Sequence, residues 1–307
     1  MLARPGGRAL AEKGFVAVTG GRVWRRIVGA GDRRVPVLAL HGGPGMPHDY
    51  LEPLAGLAGE RAVVFYDQLG CGRSDRPDDP SLWQMERFVA EISQVREALG
   101  LTRVHLLGHS WGTTLAAEYA LRQPAGLVSL ILASPMLSVP QTVTGIIDLR
   151  GGLSGEVQRV LAHHEATGTT DAEEYQQAVE EFRKRHVCRR QPLPQPLHRA
   201  RERMGQTVFQ AMWGPSELLC TGNLRDYDCT VRLPTITVST LFTCGRYDEC
   251  TPEMTTRYHR LLPTSQMAVF EHSAHMAHLE EPRPFLQVLR NFLRQAEAPK
   301  DGHTPTA

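Results

Sequence analysis

The stretch Gly108-His109-Ser110-Trp111-Gly112, set directly after the apolar run Val104-His105-Leu106-Leu107, constrains this chain more than any other feature. It reads as a strand, a sharp turn and a helix, with a serine at the apex between two glycines. A turn this tight leaves no room for a Cβ at either flanking position, because each backs onto a neighbouring strand or helix. The same geometry lifts the serine hydroxyl clear of the sheet and turns the N–H of Trp111 toward a reacting carbonyl. In a chain with 28 glycines the pattern alone has little force. Its context gives it weight: a strand before it, a helix over 113–122 after it, and partners elsewhere in a fixed order.

A serine presented in this way needs an acid and then a histidine downstream, each on a loop that follows a core strand. Leu241-Phe242-Thr243-Cys244 reads as a short strand running into Gly245-Arg246-Tyr247-Asp248-Glu249. Met267-Ala268-Val269-Phe270 reads as the next, running into Glu271-His272-Ser273-Ala274-His275. Asp248 and His275 therefore occupy the acid and base positions. His272 and His278 are rivals for the base, and the Ser-Ala-His-Met pattern ahead of a helix favours His275. Upstream, Val37-Leu38-Ala39-Leu40 leads into His41-Gly42-Gly43-Pro44-Gly45, a glycine-rich loop suited to offer a backbone N–H to an oxyanion. Together these features predict a serine hydrolase of the α/β-hydrolase fold.

Composition removes other classes. A formal charge of +1 provides no basic field for nucleic acid, and no apolar run approaches the roughly 18 residues that span a bilayer. The first fourteen residues lack the apolar core of a secretory signal. Six cysteines (71, 188, 220, 229, 244 and 250) follow neither metal nor disulfide spacing, and a reduced cytoplasmic protein is expected. No metal or cofactor is expected, and the oligomeric state is open.

Three regions differ in texture. From Phe15 to about Pro140, short strands (23–28, 37–40, 62–66, 104–107, 127–132) alternate with amphipathic helices such as 84–99, as in a mostly parallel sheet covered on both faces. From Gln141 to about Arg232 the strand rhythm stops, and the segment is charged and helical in pattern, above all over 171–186. Alternation returns from Leu233. The expected organisation is a hydrolase core over 1–140 and 233–307, with a helical cap over 141–232 inserted between the sixth and seventh strands. The polar tail 296–307 is expected to fray.

His41-Gly42-Gly43-Pro44-Gly45, Tyr66-Asp67-Gln68-Leu69-Gly70-Cys71-Gly72-Arg73-Ser74-Asp75 and Gly108-His109-Ser110-Trp111-Gly112 together resemble the prolyl iminopeptidases. Met212-Trp213-Gly214-Pro215-Ser216-Glu217 and Tyr247-Asp248-Glu249 extend the resemblance over nearly the whole chain, apart from about 151–203. It is nearest to the branch with tricorn-interacting aminopeptidase and amino-acid amidases. The resemblance implies a cytoplasmic serine aminopeptidase that releases an N-terminal residue, with proline preferred or a broad range accepted, from short peptides through an acyl-enzyme, with Ser110, Asp248 and His275 as triad and the N–H groups of Gly43 and Trp111 as oxyanion hole. It also implies that Glu217 and Glu249 bind the substrate's free amine. Asp248 and Glu249 are adjacent, so one can serve the histidine while the other faces the pocket, and a buried ammonium needs such a partner. Trp213 and Phe209 are candidates for the pocket wall. An amino-acid amidase, or an esterase acting on a small aminoacyl or secondary-metabolite substrate, is the alternative.

Other residues have plainer readings. His41 is expected to support the oxyanion loop, and Asp67 and Asp75 to hold turns. His163-His164-Glu165 looks like a metal cluster, but neighbours on a helix point about 100° apart, so a surface location is expected. Arg183-Lys184-Arg185 and Arg189-Arg190 are expected on a solvated helix face and its end. Cys71 and Cys244 are expected to be buried, unreactive thiols.

Overall fold

The computed structural model describes residues 11–29 and 34–298. Its eight strands are β1 (Glu12–Val18), β2 (Gly21–Val28), β3 (Val37–Leu40), β4 (Val63–Tyr66), β5 (Val104–His109), β6 (Leu127–Ala133), β7 (Ser239–Gly245) and β8 (Ser265–Phe270). They form one sheet in the order β1-β2-β4-β3-β5-β6-β7-β8. β1, β2 and β4 pair antiparallel, and every later pairing is parallel. β3, β4 and β5 are buried along their whole length, as expected of apolar strands with helices on both faces. β1, absent from the sequence-based strand set, is an edge hairpin partner of β2 with a mostly exposed pattern.

The helices are α1 (Met85–Ala98), α2 (Trp111–Leu121), α3 (Val139–Arg150), α4 (Gly155–Thr167), α5 (Glu173–His186), α6 (Gln195–Glu202), α7 (Gln206–Met212), α8 (Pro252–Leu261), α9 (Ala277–Glu280) and α10 (Pro282–Glu297). Helices α3 to α7 all fall between β6 and β7. This insertion bonds to the core through its backbone at the three loops that follow β3, β7 and β8. The carbonyl of His186, at the end of α5, accepts from the N–H groups of Glu249 and His275, each at 3.2 Å. Val187 O accepts from Met276 N at 3.1 Å, and Gly205 N donates to Gly45 O at 2.9 Å.

The polar tail departs from expectation at its start. α10 runs to Glu297, whose carboxylate accepts from Arg61 Nη1 (2.7 Å), Val35 N (3.1 Å) and His105 Nε2 (3.1 Å). That half-buried anchor pins the helix end to the sheet, and residues 299–307 lie outside the described residues.

α2 packs unusually close to the sheet. A Cβ on Gly108 would stand 2.1 Å from Gly112 O, and one on Gly112 would stand 2.2 Å from Leu40 O. Both obstacles are backbone and cannot swing aside. Gly112→Ala is therefore expected to cost more than about 3 kcal/mol of stability, read as a lowered midpoint in urea unfolding. A midpoint equal to wild type would show that the approach is not tight.

Candidate active site

Ser110 sits between β5 and α2 at φ 54° and ψ −123°, a strained conformation for a residue with a side chain. Its backbone is fixed on both sides. Ser110 N donates to Ala133 O at 3.0 Å, and Ser110 O accepts from Thr113 N (2.7 Å) and Thr113 Oγ1 (2.6 Å). Trp111 is the first residue of α2, so its N–H has no acceptor within the helix and stands at the positive end of the dipole. The indole is buried and donates to Gln68 Oε1 at 3.0 Å, tying the elbow to the 67–75 loop.

Gly42 and Gly43 follow β3 and line the same cavity as Ser110. Gly43 has φ +113°. Gly42 N donates to Tyr50 Oη at 2.7 Å, and the Tyr50 hydroxyl lies 3.0 Å from His109 Nδ1. His109 Nε2 lies 2.9 Å from His275 O. A carbonyl only accepts, so Nε2 carries the hydrogen, Nδ1 accepts, and Tyr50 must donate to it. Burial lowers the proton affinity of His109 well below the usual histidine range and keeps this tautomer neutral. His41 performs the structural task expected of it: Nε2 accepts from Gln68 N at 2.8 Å and Nδ1 lies 3.1 Å from Gly42 O. Burial lowers its pKa to about 4.

Asp248 and His275 come together from the loops after β7 and β8. Asp248 Oδ1 lies 2.7 Å from His275 Nδ1 and also accepts from Cys250 N at 2.8 Å. The His275 carbonyl accepts from Ser134 Oγ (3.0 Å) as well as from His109. Burial alone would lower the pKa of His275, but the carboxylates of Asp248 and Glu249 outweigh it and push it up to about 9. The rivals do not face Asp248. His272 is exposed, and His278 is buried against Tyr50, His109 and Phe285, with burial lowering its pKa to about 3.

Glu217 and Glu249 line the cavity of about 520 Å³ that Ser110 and His275 also line. Glu249 Oε1 is 3.5 Å from His275 Nε2, and Glu249 Oε2 is shut off from solvent with no partner among the described residues. Burial, helped by Glu217 and Asp248, pushes its pKa up to about 7 against the pull of His275. Glu217 Oε1 is held by Arg183 Nε at 2.9 Å. Arg183 also pairs with Glu180 at 3.5 Å and lines the cavity, which corrects its expected place on a solvated face. The sequence carried the signal, since Arg183 follows buried Val179 by four residues and shares its helix face.

Other side chains also depart from expectation. Phe209 lines the cavity, but Trp213 does not: it is buried, with its indole donating to Ser216 O at 3.1 Å. His164 is buried rather than surface-exposed and bonds Thr169 Oγ1 at 2.7 Å, while Glu165 pairs with Arg150. Asp67 accepts from His48 N (3.0 Å) and Arg73 N (2.9 Å), and Asp75 accepts from Arg22 N (2.9 Å), so both brace turns. Cys71 and Cys244 are buried free thiols whose pKa burial raises. Tyr50 carried no recognisable sequence signal.

Two groups of potential metal ligands occur among the described residues, Asp248–Cys250–His275 and His48–Asp49–Asp67. In the first, Asp248 and His275 already engage one another at 2.7 Å. In the second, Asp67 is engaged by His48 Nδ1 at 2.6 Å, and Asp49 faces the guanidinium groups of Arg73, Arg199 and Arg203. Three cations on one carboxylate disfavour another.

Residues 35–282 match the family model for the alpha/beta hydrolase fold. The chain is 46% identical over 282 residues to the proline iminopeptidase of Heyndrickxia coagulans, covering 92% of this chain and 98% of that one. Among solved structures, it superimposes on the proline iminopeptidase of Mycobacterium smegmatis with a TM-score of 0.85 at 37% identity, over 93% of this chain and 98% of that one. It superimposes on VinJ with a TM-score of 0.90 at 38% identity, over 93% and 99% of the two chains. The chain thus belongs to the α/β-hydrolases and, within them, to the proline iminopeptidase family. It is a hydrolase of this kind, and no helix among its described residues is long and apolar enough to cross a membrane.

Tyr50→Phe removes the one hydroxyl that satisfies both Gly42 N–H and His109 Nδ1. It is expected to cost about 1–3 kcal/mol in stability and to lower kcat more than it raises KM. Unfolding curves and steady-state kinetics together check this, and unchanged kcat would show that the hydroxyl does not hold the loop.

Proposed function

We propose that this chain is a serine aminopeptidase that releases an N-terminal residue, proline foremost, from short peptides. The observation that carries the reading is that Glu249 and Glu217 share a cavity wall with Ser110 and His275. A substrate ammonium desolvated there requires a negative partner. With the amine anchored beside the nucleophile, only the first peptide bond reaches Ser110, which makes the enzyme an exopeptidase. A cavity of about 520 Å³ suits the first residues of a short peptide rather than a folded chain.

In this mechanism His275 Nε2 takes the Ser110 proton as Oγ attacks the scissile carbonyl. Asp248 holds the Nδ1–H tautomer and stabilises the imidazolium. The N–H groups of Gly43 and Trp111 stabilise the tetrahedral oxyanion, worth about 3–4 kcal/mol per donor. The imidazolium protonates the departing amine, and water then releases the N-terminal residue from the acyl-enzyme with His275 again as base. The inserted helices over 141–232 act as the cap, and α5 supplies Arg183 as the resting partner of Glu217, to be exchanged for the substrate's ammonium. The free cysteines support a reducing compartment and hence the cytoplasm.

Prolyl, alanyl and leucyl p-nitroanilides are to be compared with their N-acetylated forms and with p-nitrophenyl acetate. Turnover of the free-amine amides, prolyl fastest, is expected. Equal turnover of acetylated amides would end the amine-anchor reading, and ester turnover without amide cleavage would make the enzyme an esterase. Ser110→Ala is expected to lose amide turnover by on the order of 10⁴ or more while keeping wild-type circular dichroism. Glu217→Gln is expected to raise KM for free-amine amides by at least about tenfold, or ~1.4 kcal/mol.

A further inference from the structure

His275 offers two ring nitrogens, and both face a carboxylate. Nδ1 meets Asp248 at 2.7 Å, and Nε2 meets Glu249 Oε1 at 3.5 Å. Nε2 is also the atom that must receive the Ser110 proton, so Glu249 and Ser110 compete for one site on the base. Backbone bonds hold the competition in place, because Glu249 N and His275 N both donate to the carbonyl of His186.

The surrounding charges favour a proton on this pair. Asp248, Glu249 and Glu217 supply three carboxylates, while Arg183 supplies one cation against them. Farther up the wall, Arg201 and Glu180 answer one another at 3.4 Å. Behind His275 the rings of His109 and His278 are neutral, since burial lowers the proton affinity of each. Cys250 and Cys244, near Asp248, are kept as thiols by burial. The His186 ring is occupied by Tyr247 O at 3.0 Å, and Glu280 accepts from Ala274 N at 2.7 Å. The pair Nε2–Oε1 is thus where the cavity holds a compensating proton, in line with a His275 pKa pushed up to about 9 against burial.

We propose that Glu249 blocks the base in the empty site and that the substrate's own ammonium releases it. This rests on the amine-anchor reading and adds a second task to the same carboxylate. In the empty site one proton lies between Nε2 and Oε1. As imidazolium–carboxylate or imidazole–carboxylic acid, it occupies the Nε2 lone pair. A docking ammonium pairs with the Glu249 carboxylate, the shared proton leaves to solvent, and Nε2 is left free to accept from Ser110. One proton is released for each ammonium bound, and no other bond changes. N-blocked peptides and simple esters meet a base that is still protonated, so selection for a free amine operates on proton transfer as well as on binding. Toward His275, Glu249 acts as a positioning residue.

The test is the pH dependence of kcat/KM for p-nitrophenyl acetate, which carries no amine, in wild type and Glu249→Gln. For wild type the rising limb, which reports the base in the free enzyme, is expected at about pH 9. In the variant the limb is expected to move down by at least about one unit, so ester turnover at pH 7 rises by roughly tenfold while prolyl amide turnover falls. Coincident limbs overturn the proposal, as does equal loss of both activities with an unmoved limb. Should the variant fail to fold, wild type is titrated calorimetrically with pyrrolidine, a ring ammonium without a carbonyl, in two buffers of different ionisation heat at pH 8. Release of protons on binding is expected. Binding without release overturns this inference alone, whereas no binding of pyrrolidine overturns the amine-anchor reading and this inference with it.

Discussion

A directed run of hydrogen bonds, Gly42 N–H to Tyr50, Tyr50 O–H to His109 and His109 N–H to the carbonyl of His275, sets the register of everything around Ser110. The loops carrying Gly43, Ser110 and His275 come from the ends of β3, β5 and β8, and nothing in a sheet fixes such loops relative to one another. The run does so because it reads in one direction only. Gly42 can only donate and the His275 carbonyl can only accept, so each group between has a single permitted orientation. Burial enforces it by denying His109 a second proton. A charged His109 would have no lone pair for Tyr50 and would set a cation beside the base.

The backbone beneath this run is close to the limit of what chain geometry allows. Ser110 adopts a positive φ because α2 must begin at once on leaving β5, and α2 in turn lies against the carbonyl of Leu40. The strain holds because the sheet on either side is buried and fully paired, with β5 hydrogen-bonded to both β3 and β6. Local cost at the apex is offset by packing in strands that have no other task.

The features legible in sequence are those whose physics is local. The elbow, the loops ending in Gly43, Asp248 and His275, and the helical insertion between the sixth and seventh strands announce themselves through glycines, apolar runs and chain order. The missed features depend on contacts distant in sequence. Arg183 looks like one of three basic residues in a row; its spacing from Val179 puts it on the buried helix face, but the partner that gives it a role, Glu217, lies 34 residues on. Glu297 sits in a polar tail, yet it is fixed by Arg61, Val35 and His105 from elements far upstream. Tyr50 lies in a 3₁₀ segment (His48–Leu57) but off its Leu51-Leu54-Leu57 stripe, and its partners are 8 and 59 residues away. Trp213 shows the converse: an aromatic beside a functional motif is a natural candidate for the pocket wall, yet its indole stabilises the turn that carries Glu217.

The insertion's attachment to the core has a bearing on how such proteins diversify. The end of α5 supplies the acceptor for the amides of both Glu249 and His275, and Gly205 donates to Gly45 in the loop after β3. An insertion that merely roofed the cavity would be interchangeable, and specificity would change by exchanging one roof for another. Here the insertion is also scaffolding: its removal orphans the amides of Glu249 and His275. A transplanted insertion would have to bring its own carbonyl to that spot, so lineages carrying this arrangement are freer to vary residues within α3 to α7 than to replace the segment wholesale.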